Sequence, residues 1–260
     1  MLFGLFRRRR RIRIDVASLC ECGPVRAENQ DRVLVNRRGL VFCVADGMGG
    51  GEGGGEASAI VCRELAAVLR RRTDFVDRVH LVDEAIRRAD EMVRAYAAKA
   101  GYRQMGSTVT VLVGDPEDGR SAIVGNIGDS RVYCLHGDEF RQLTRDHTME
   151  SEILRRSGAR GGAPSLLEAR ASALSHVLTR AVGVGDDVHA DWRKVDLFEG
   201  DVFLVCSDGV HGAMPQDVLK DALAQGGRAS EMVERIRRAV LASGAADNFS
   251  AVVVKIGGAQ

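Results

Sequence analysis

Asp46 in VFCVADGMGG, Asp129 in SAIVGNIGDSR, Asp208 in DVFLVCSDG and Asp247 in AADNFSAVVVKI each stand at one end of an apolar run, where a β-strand would begin or stop. Strand ends within one sheet system can converge, and carboxylates that converge repel. Two unit charges about 4 Å apart at an effective dielectric of about 20 repel by roughly 4 kcal/mol. Three such groups would cost roughly 12 kcal/mol, about the whole stability of an ordinary domain at about 5–15 kcal/mol. A bound cation must balance such a cluster, and oxygen-only ligation selects magnesium, manganese or calcium over zinc or copper.

The elements that would position these groups are legible as short apolar or alternating runs. Strands are expected over Ile12 to Cys20, Arg32 to Asn36, Leu40 to Ala45, Thr108 to Val113, Ser121 to Ile127, Arg131 to Leu135, Asp201 to Cys206 and Ser250 to Ile256. The turn signals Asp115-Pro116-Glu117-Asp118-Gly119 and His136-Gly137-Asp138-Glu139 are too short for a helical crossover, so the sheets should be largely antiparallel. Helical spacing marks Glu56 to Arg72 and Val76 to Ala100, the latter through Ala85, Ile86, Ala89, Met92, Val93 and Tyr96. Further helices are expected at Ser151 to Arg156, Gln216 to Ala224 and Ser230 to Ser243, and SHVLTRAVG reads as strand-like. Strands apolar on both faces, with amphipathic helices to cover them, imply an α+β fold of two packed sheets flanked by helices. The irregular Ser157 to Ser175 segment, rich in Gly, Ala, Ser and Arg, reads as a functional flap, with a surface insertion as the plainer alternative.

Composition narrows the class. At 260 residues and 45% hydrophobic the chain can bury a full core, and no composition break divides it. A net charge of +1 excludes nucleic acid as the main ligand. The 37 basic residues include only Lys99, Lys194, Lys220 and Lys255 as lysines, and the excess of arginine carries no mechanism. Cys20, Cys22, Cys43, Cys62, Cys134 and Cys206 show no CxxC and no zinc spacing, and are expected to be buried, reduced thiols. No run reaches the roughly 18 apolar residues of a membrane span. In MLFGLFRRRRRIRI the apolar residues precede the arginines, the reverse of a secretory signal, so a cytoplasmic location is expected. Residues 1–11 form a basic tail whose Arg7 to Arg11, with Arg13 beyond, offer acidic lipid or an acidic partner a foothold; a solvated tail is the plainer reading.

The glycine-rich run from Asp46 to Ser58 contains a formal GxGxxG at Gly49, Gly51 and Gly54. A dinucleotide site is excluded because two long helices, and no second strand with its acidic residue, come next; a phosphate P-loop lacks its GKS or GKT. The glycines instead permit a sharp turn at Asp46 that brings backbone carbonyls close to whatever that carboxylate binds, with Gly47 the evident carbonyl donor.

Eight motifs in register from Cys22 to Ile256 resemble the metal-dependent protein serine/threonine phosphatases, the type 2C or PPM family, and its bacterial branch in particular. They are GPVRAENQD (Gly23 to Asp31), VADGMGG (Val44 to Gly50) with Ala57-Ser58, MGST (Met105 to Thr108), GNIGDSRVY (Gly125 to Tyr133), LTRDH (Leu143 to His147), LTRAVG (Leu178 to Gly183), CSDG (Cys206 to Gly209) and DNFS (Asp247 to Ser250). The resemblance implies a single catalytic domain over residues 12–260, folded as a four-layer α-β-β-α sandwich with a dinuclear metal site at one edge. It makes Asp46 the carboxylate bridging two manganese or magnesium ions, with the Gly47 carbonyl on one and Asp208 and Asp247 on the other. Asp129 matches the ligand of a weaker third ion, Asp31 would orient metal-bound water, and Arg26 would bind the substrate phosphate through its planar fork. The implied reaction is in-line attack by metal-activated water on phosphoserine or phosphothreonine in proteins, without a covalent phosphoenzyme, opposing a serine/threonine kinase; a monomer is the default. Two positions depart from the family. Gln30 replaces a frequent glutamate, which implies weaker or altered metal preference. Met48 stands where the eukaryotic branch has a histidine, which leaves protonation of the leaving group to metal-bound water. A phosphoprotein-binding pseudophosphatase is the alternative, and it would lack a metal ligand.

Overall fold

The computed structural model describes residues 13–49, 53–68, 75–115, 119–157, 172–185 and 188–258. The expected basic tail over 1–11, the centre of the glycine run and most of the 157–175 flap lie outside them. In chain order the elements are β1 (Arg13–Glu21), β2 (Asp31–Asn36), β3 (Val41–Gly49), α1 (Gly53–Val68), α2 (Phe75–Ala100), β4 (Met105–Ser107), β5 (Val109–Gly114), β6 (Ser121–Ile127), β7 (Arg131–His136), β8 (Glu139–Gln142), α3 (Met149–Ser157), β9 (Asp191–Asp196), β10 (Val202–Cys206), α4 (Asp208–His211), α5 (Gln216–Ala224), α6 (Ala229–Ala242) and β11 (Phe249–Gly257).

One sheet runs β1-β11-β10-β7-β8 and the other β2-β3-β5-β6-β9, with β4 paired to the far end of β3. Every strand pairing among the described residues is antiparallel. The sandwich follows from side-chain alternation. On β3, Val41, Cys43 and Ala45 pack with Ile60 and Leu65 of α1 and Ile86 and Val93 of α2, whereas Phe42 and Val44 turn inward. On β10, Val202, Leu204 and Cys206 meet Leu219 of α5 and Met232 and Ile236 of α6, whereas Phe203 and Val205 turn inward. Phe42, Val44, Phe203, Val205, Val252 and Val254 therefore form the layer between the sheets, and the four layers are α-β-β-α.

Several boundaries move, for physical reasons. β3 does not stop at Ala45; it continues through Asp46 to Gly49 because Gly47, Met48 and Gly49 pair with Ser107, Gly106 and Met105 of β4. Asp46 is thus a mid-strand residue, and the sharp turn expected there is absent. The strands β8 and β9 were not expected; EFRQ and DWRKVD are polar because both are sheet edges. The segment SHVLTRAVG makes isolated bridges, Thr148 with Leu178 and Ser107 with Val182, instead of a strand. On α2 the buried stripe is Val82, Ala85, Ile86, Ala89 and Val93, and Met92 and Tyr96 face outward at about 40% exposure. All six cysteines are free, but only Cys43, Cys134 and Cys206 are buried; Cys20, Cys22 and Cys62 are half-buried. No helix among the described residues is long and apolar enough to cross a membrane.

Candidate metal centre

The site begins with a strand pairing. Asp31 opens β2 directly opposite Asp46 of β3, so the register alone sets two carboxylates side by side. Both backbone groups of Asp46 are held by Thr108: the Asp46 N–H donates to Thr108 Oγ1 at 2.9 Å, and the Thr108 N–H donates to the Asp46 carbonyl at 2.8 Å. Thr108 Oγ1 also bonds Ser130 Oγ at 2.9 Å, which ties this strand to the loop carrying Asp129. Asp208 follows β10 and opens α4, and the preceding Ser207 donates from Oγ to Asp31 Oδ2 at 2.8 Å. Asp247 precedes β11, with its Oδ1 accepting the Asn248 N–H at 2.8 Å and its Oδ2 accepting Arg26 Nη2 at 2.7 Å.

The acids of this cluster respond to burial first and to one another second. Burial, reinforced by Asp31, Asp208 and Asp129, holds the Asp46 carboxyl well above the usual range, and it is hydrogen-bonded to Asp208. Burial raises Asp208, with the Asp247 charge adding to it. Asp31 is pushed up to about 6 by burial and, secondarily, Asp208. Asp129 is pushed up to about 7 by burial, Asp208 and Asp146. Arg26 is raised by its hydrogen bond to Asp247, with Asp208 and Asp46 adding charge. All six residues singled out for their side chains therefore belong to one electrostatic cluster.

Among the described residues, no three acidic, imidazole or thiol groups are already gathered around one point as a formed ion cage. The donor set nevertheless fits a hard divalent cation. It is all oxygen, its acids are raised by burial and then by one another, and Asp31 Oδ1 is a buried acceptor with no hydrogen-bond partner. Gly47 is required at its place by close packing: a Cβ there would lie 2.0 Å from the Gly54 carbonyl oxygen at the start of α1. Gly47→Ala must therefore push α1 off β3, and a loss of about 3 kcal/mol is expected. Thermal melting checks it, with Tm about 6–12 °C lower.

Gln30, one of the departures, donates from its side-chain amide to Glu28, and its Oε1 lies over the start of α1, where a Cβ on Gly54 would be only 2.4 Å away. Met48 lies beside Gly106 of β4. The spacing Cys-x5-Arg of cysteine-dependent phosphatases does occur once, from Cys20 to Arg26. Cys20 is no nucleophile, however: burial raises its thiol, which accepts from Asn29 Nδ2 at 3.3 Å and donates to the Asp31 carbonyl. Sequence reasoning left Thr108, Ser207 and Asn248 without roles although they sit inside the MGST, CSDG and DNFS motifs. It had no signal for His211, whose Nε2 contacts the Asp129 carbonyl at 3.0 Å and whose pKa burial lowers to about 4, so that a neutral ring donates this bond.

Comparison with known proteins agrees with this geometry. The chain is 29% identical over 248 residues to protein phosphatase PhpP of Streptococcus pneumoniae, covering 94% of this chain and 98% of that one. It is 28% identical over 240 residues to the serine/threonine phosphatase stp of Listeria innocua, covering 90% and 92%. Among solved structures, the catalytic domain of the serine/threonine protein phosphatase PstP in complex with two manganese ions superposes with a TM-score of 0.81 at 27% identity, covering 95% of this chain and 99% of that one. The phosphatase MsPP of Mycobacterium smegmatis, in complex with cacodylate, superposes with a TM-score of 0.77 at 31% identity, covering 93% and 98%. The sequence profile described as Protein phosphatase 2C matches residues 25–248, and the chain belongs to that family of serine/threonine phosphatases.

Proposed function

We propose that this chain removes phosphate from phosphoserine and phosphothreonine in proteins at the Asp46 cluster, in opposition to a serine/threonine kinase. The observation that carries this reading is the convergence of Asp31 and Asp129, both buried, with Asp46 and Asp208, both half-buried, each raised first by burial and then by a neighbouring carboxylate, beside an arginine fork. Asp46, Asp208 and Asp247, with the Gly47 carbonyl, hold two manganese or magnesium ions, and Asp129 holds a weaker third. When bound, such ions supply positive charge and Lewis acidity for transfer of the phosphoryl group to water. Asp31, with its open Oδ1, accepts a hydrogen bond from the attacking water and orients it. Arg26 receives two equatorial phosphate oxygens on its fork and holds the phosphorus in line. Residues 12–260 act as one catalytic domain, monomeric and cytoplasmic.

The deciding experiment is hydrolysis of p-nitrophenyl phosphate and of a phosphothreonine peptide with manganese, magnesium or EDTA. Activity on both with either metal and none in EDTA is expected. A folded protein inactive with every metal would sink the reading and favour a phosphoprotein-binding role.

A further inference from the structure

Arg26 has no regular element beneath it: it lies in the connection between Glu21 of β1 and Asp31 of β2. A loop arginine that must receive phosphate needs an anchor, because a loop left to be ordered when the ligand arrives pays for that ordering in affinity. The anchor is visible on the other side of the site. Asn248, only 7% exposed, donates through Nδ2 to the carbonyls of Cys22 and Glu28, both at 2.9 Å, and accepts the Gln30 N–H on Oδ1 at 2.9 Å. Cys22 and Gln30 are each four residues from Arg26, so one side chain grips the loop on both flanks. The amide has one workable orientation, since a flip would set Oδ1 against two carbonyls and Nδ2 against an N–H.

The same residue also touches both carboxylate-bearing loops. Its backbone N–H caps Asp247 Oδ1 at 2.8 Å, and a Cβ on Gly209, next to Asp208, would lie 1.9 Å from its carbonyl oxygen. A second contact closes the seam. Gly23, at φ +72°, is packed so closely that a Cβ would lie 2.8 Å from the Asp247 carbonyl oxygen and 2.9 Å from that of Ala245.

We propose that Asn248 is the positioning residue that sets the distance between the phosphate arginine and the acidic cluster, fastening the Cys22–Gln30 loop onto the Asp247 turn. The inference rests on the proposed phosphate role of Arg26. Asn248 itself touches neither substrate nor ion; it acts through Arg26. Aspartate, its isostere, is excluded at this position because it removes both donors and faces two carbonyls with charge.

A double-mutant cycle on the manganese-loaded enzyme tests it, with p-nitrophenyl phosphate as substrate and inorganic phosphate as product inhibitor. Asn248→Ala should raise KM and the phosphate inhibition constant about tenfold, with kcat and the half-saturating manganese concentration within about threefold of the parent. In an Arg26→Ala background the same change should add nothing to KM, because the loop then carries no group to misplace. Gly23→Ala, which wedges the seam without removing a hydrogen bond, should follow the same pattern and serves if the Asn248 variant does not fold. An unchanged KM in Asn248→Ala and Gly23→Ala while Arg26→Ala raises it overturns the inference and leaves the arginine reading standing. Additive effects in the cycle, or a loss confined to kcat and manganese affinity, also overturn it and assign Asn248 to the carboxylates. If Arg26→Ala leaves KM and phosphate inhibition untouched, the arginine reading fails and takes the inference with it.

Discussion

Replacing Asp208 with asparagine is expected to lower kcat by on the order of 10³-fold or more, beyond the 10- to 100-fold typical when an outer partner of a metal ligand is lost, while the Tm measured in EDTA rises. The two effects have one cause. Asp208 is raised by burial and by Asp247, and its charge in turn raises Asp31, Asp129 and Asp46. Asparagine fills the same volume, can donate to Asp46 where Asp208 was its hydrogen-bond partner, and removes one anion from the cluster. A gain of about 1.5 kcal/mol corresponds to a Tm higher by about 3–6 °C for a protein of this size. Thermal melting with chelator, alongside p-nitrophenyl phosphate turnover with manganese, reads both. Retained activity would remove Asp208 from the ion site, and a lower Tm would refute the repulsion argument.

The metal-free protein should lose stability as pH rises from 6.5 to 8, and manganese should flatten that slope. In this window the unfolded aspartates have already released their protons, whereas Asp129, at about 7, gives up its proton within the window in the folded chain, and Asp46 is shifted in the same direction by burial and by Asp31, Asp208 and Asp129. The folded state then holds more protons than the unfolded one, so stability falls with rising pH. His147 and His211 are both lowered by burial and oppose this loss at the low end of the window, where the unfolded histidines are still partly charged; their contribution fades by pH 8. The expected loss across the window is on the order of 1 kcal/mol, or a Tm lower by about 2–4 °C. A chelated protein whose Tm is flat or rises between pH 6.5 and 8 would contradict the carboxylate cluster.

The layers were legible because β3, β5, β10 and β11 bury both faces, and a run such as VFLVC admits no other placement. The edge strands were not, since DWRKVD at β9 carries its register in backbone bonds to β6 and offers only Trp192 and Val195, packed on different cores, as apolar signal. Asp46 was placed at a strand end although its strand runs on to Gly49, because that continuation depends on β4, a three-residue partner near Met105. The site acids could be read from their motifs, whereas the Arg26–Asp247 contact, between residues 221 apart, and the grip of Asn248 on the arginine loop exist only in three dimensions. No local periodicity encodes such a meeting.

The pairing of β1 with β11, Arg13 against Gly257 through Glu21 against Phe249, has a consequence for synthesis. β1 leaves the ribosome long before β11 and must wait for it before it has its neighbour. At about 5–20 residues per second, roughly 10–40 s separate translation of Asp46 from that of Asp247. Throughout that interval the nascent chain holds Arg26, Asp31 and Asp46 without the carboxylate and the amide that complete them. With the site as proposed, a product truncated before β11 lacks the Asp247 carboxylate and the grip of Asn248 on the arginine loop, and competence arrives only with the last part of the domain to be made.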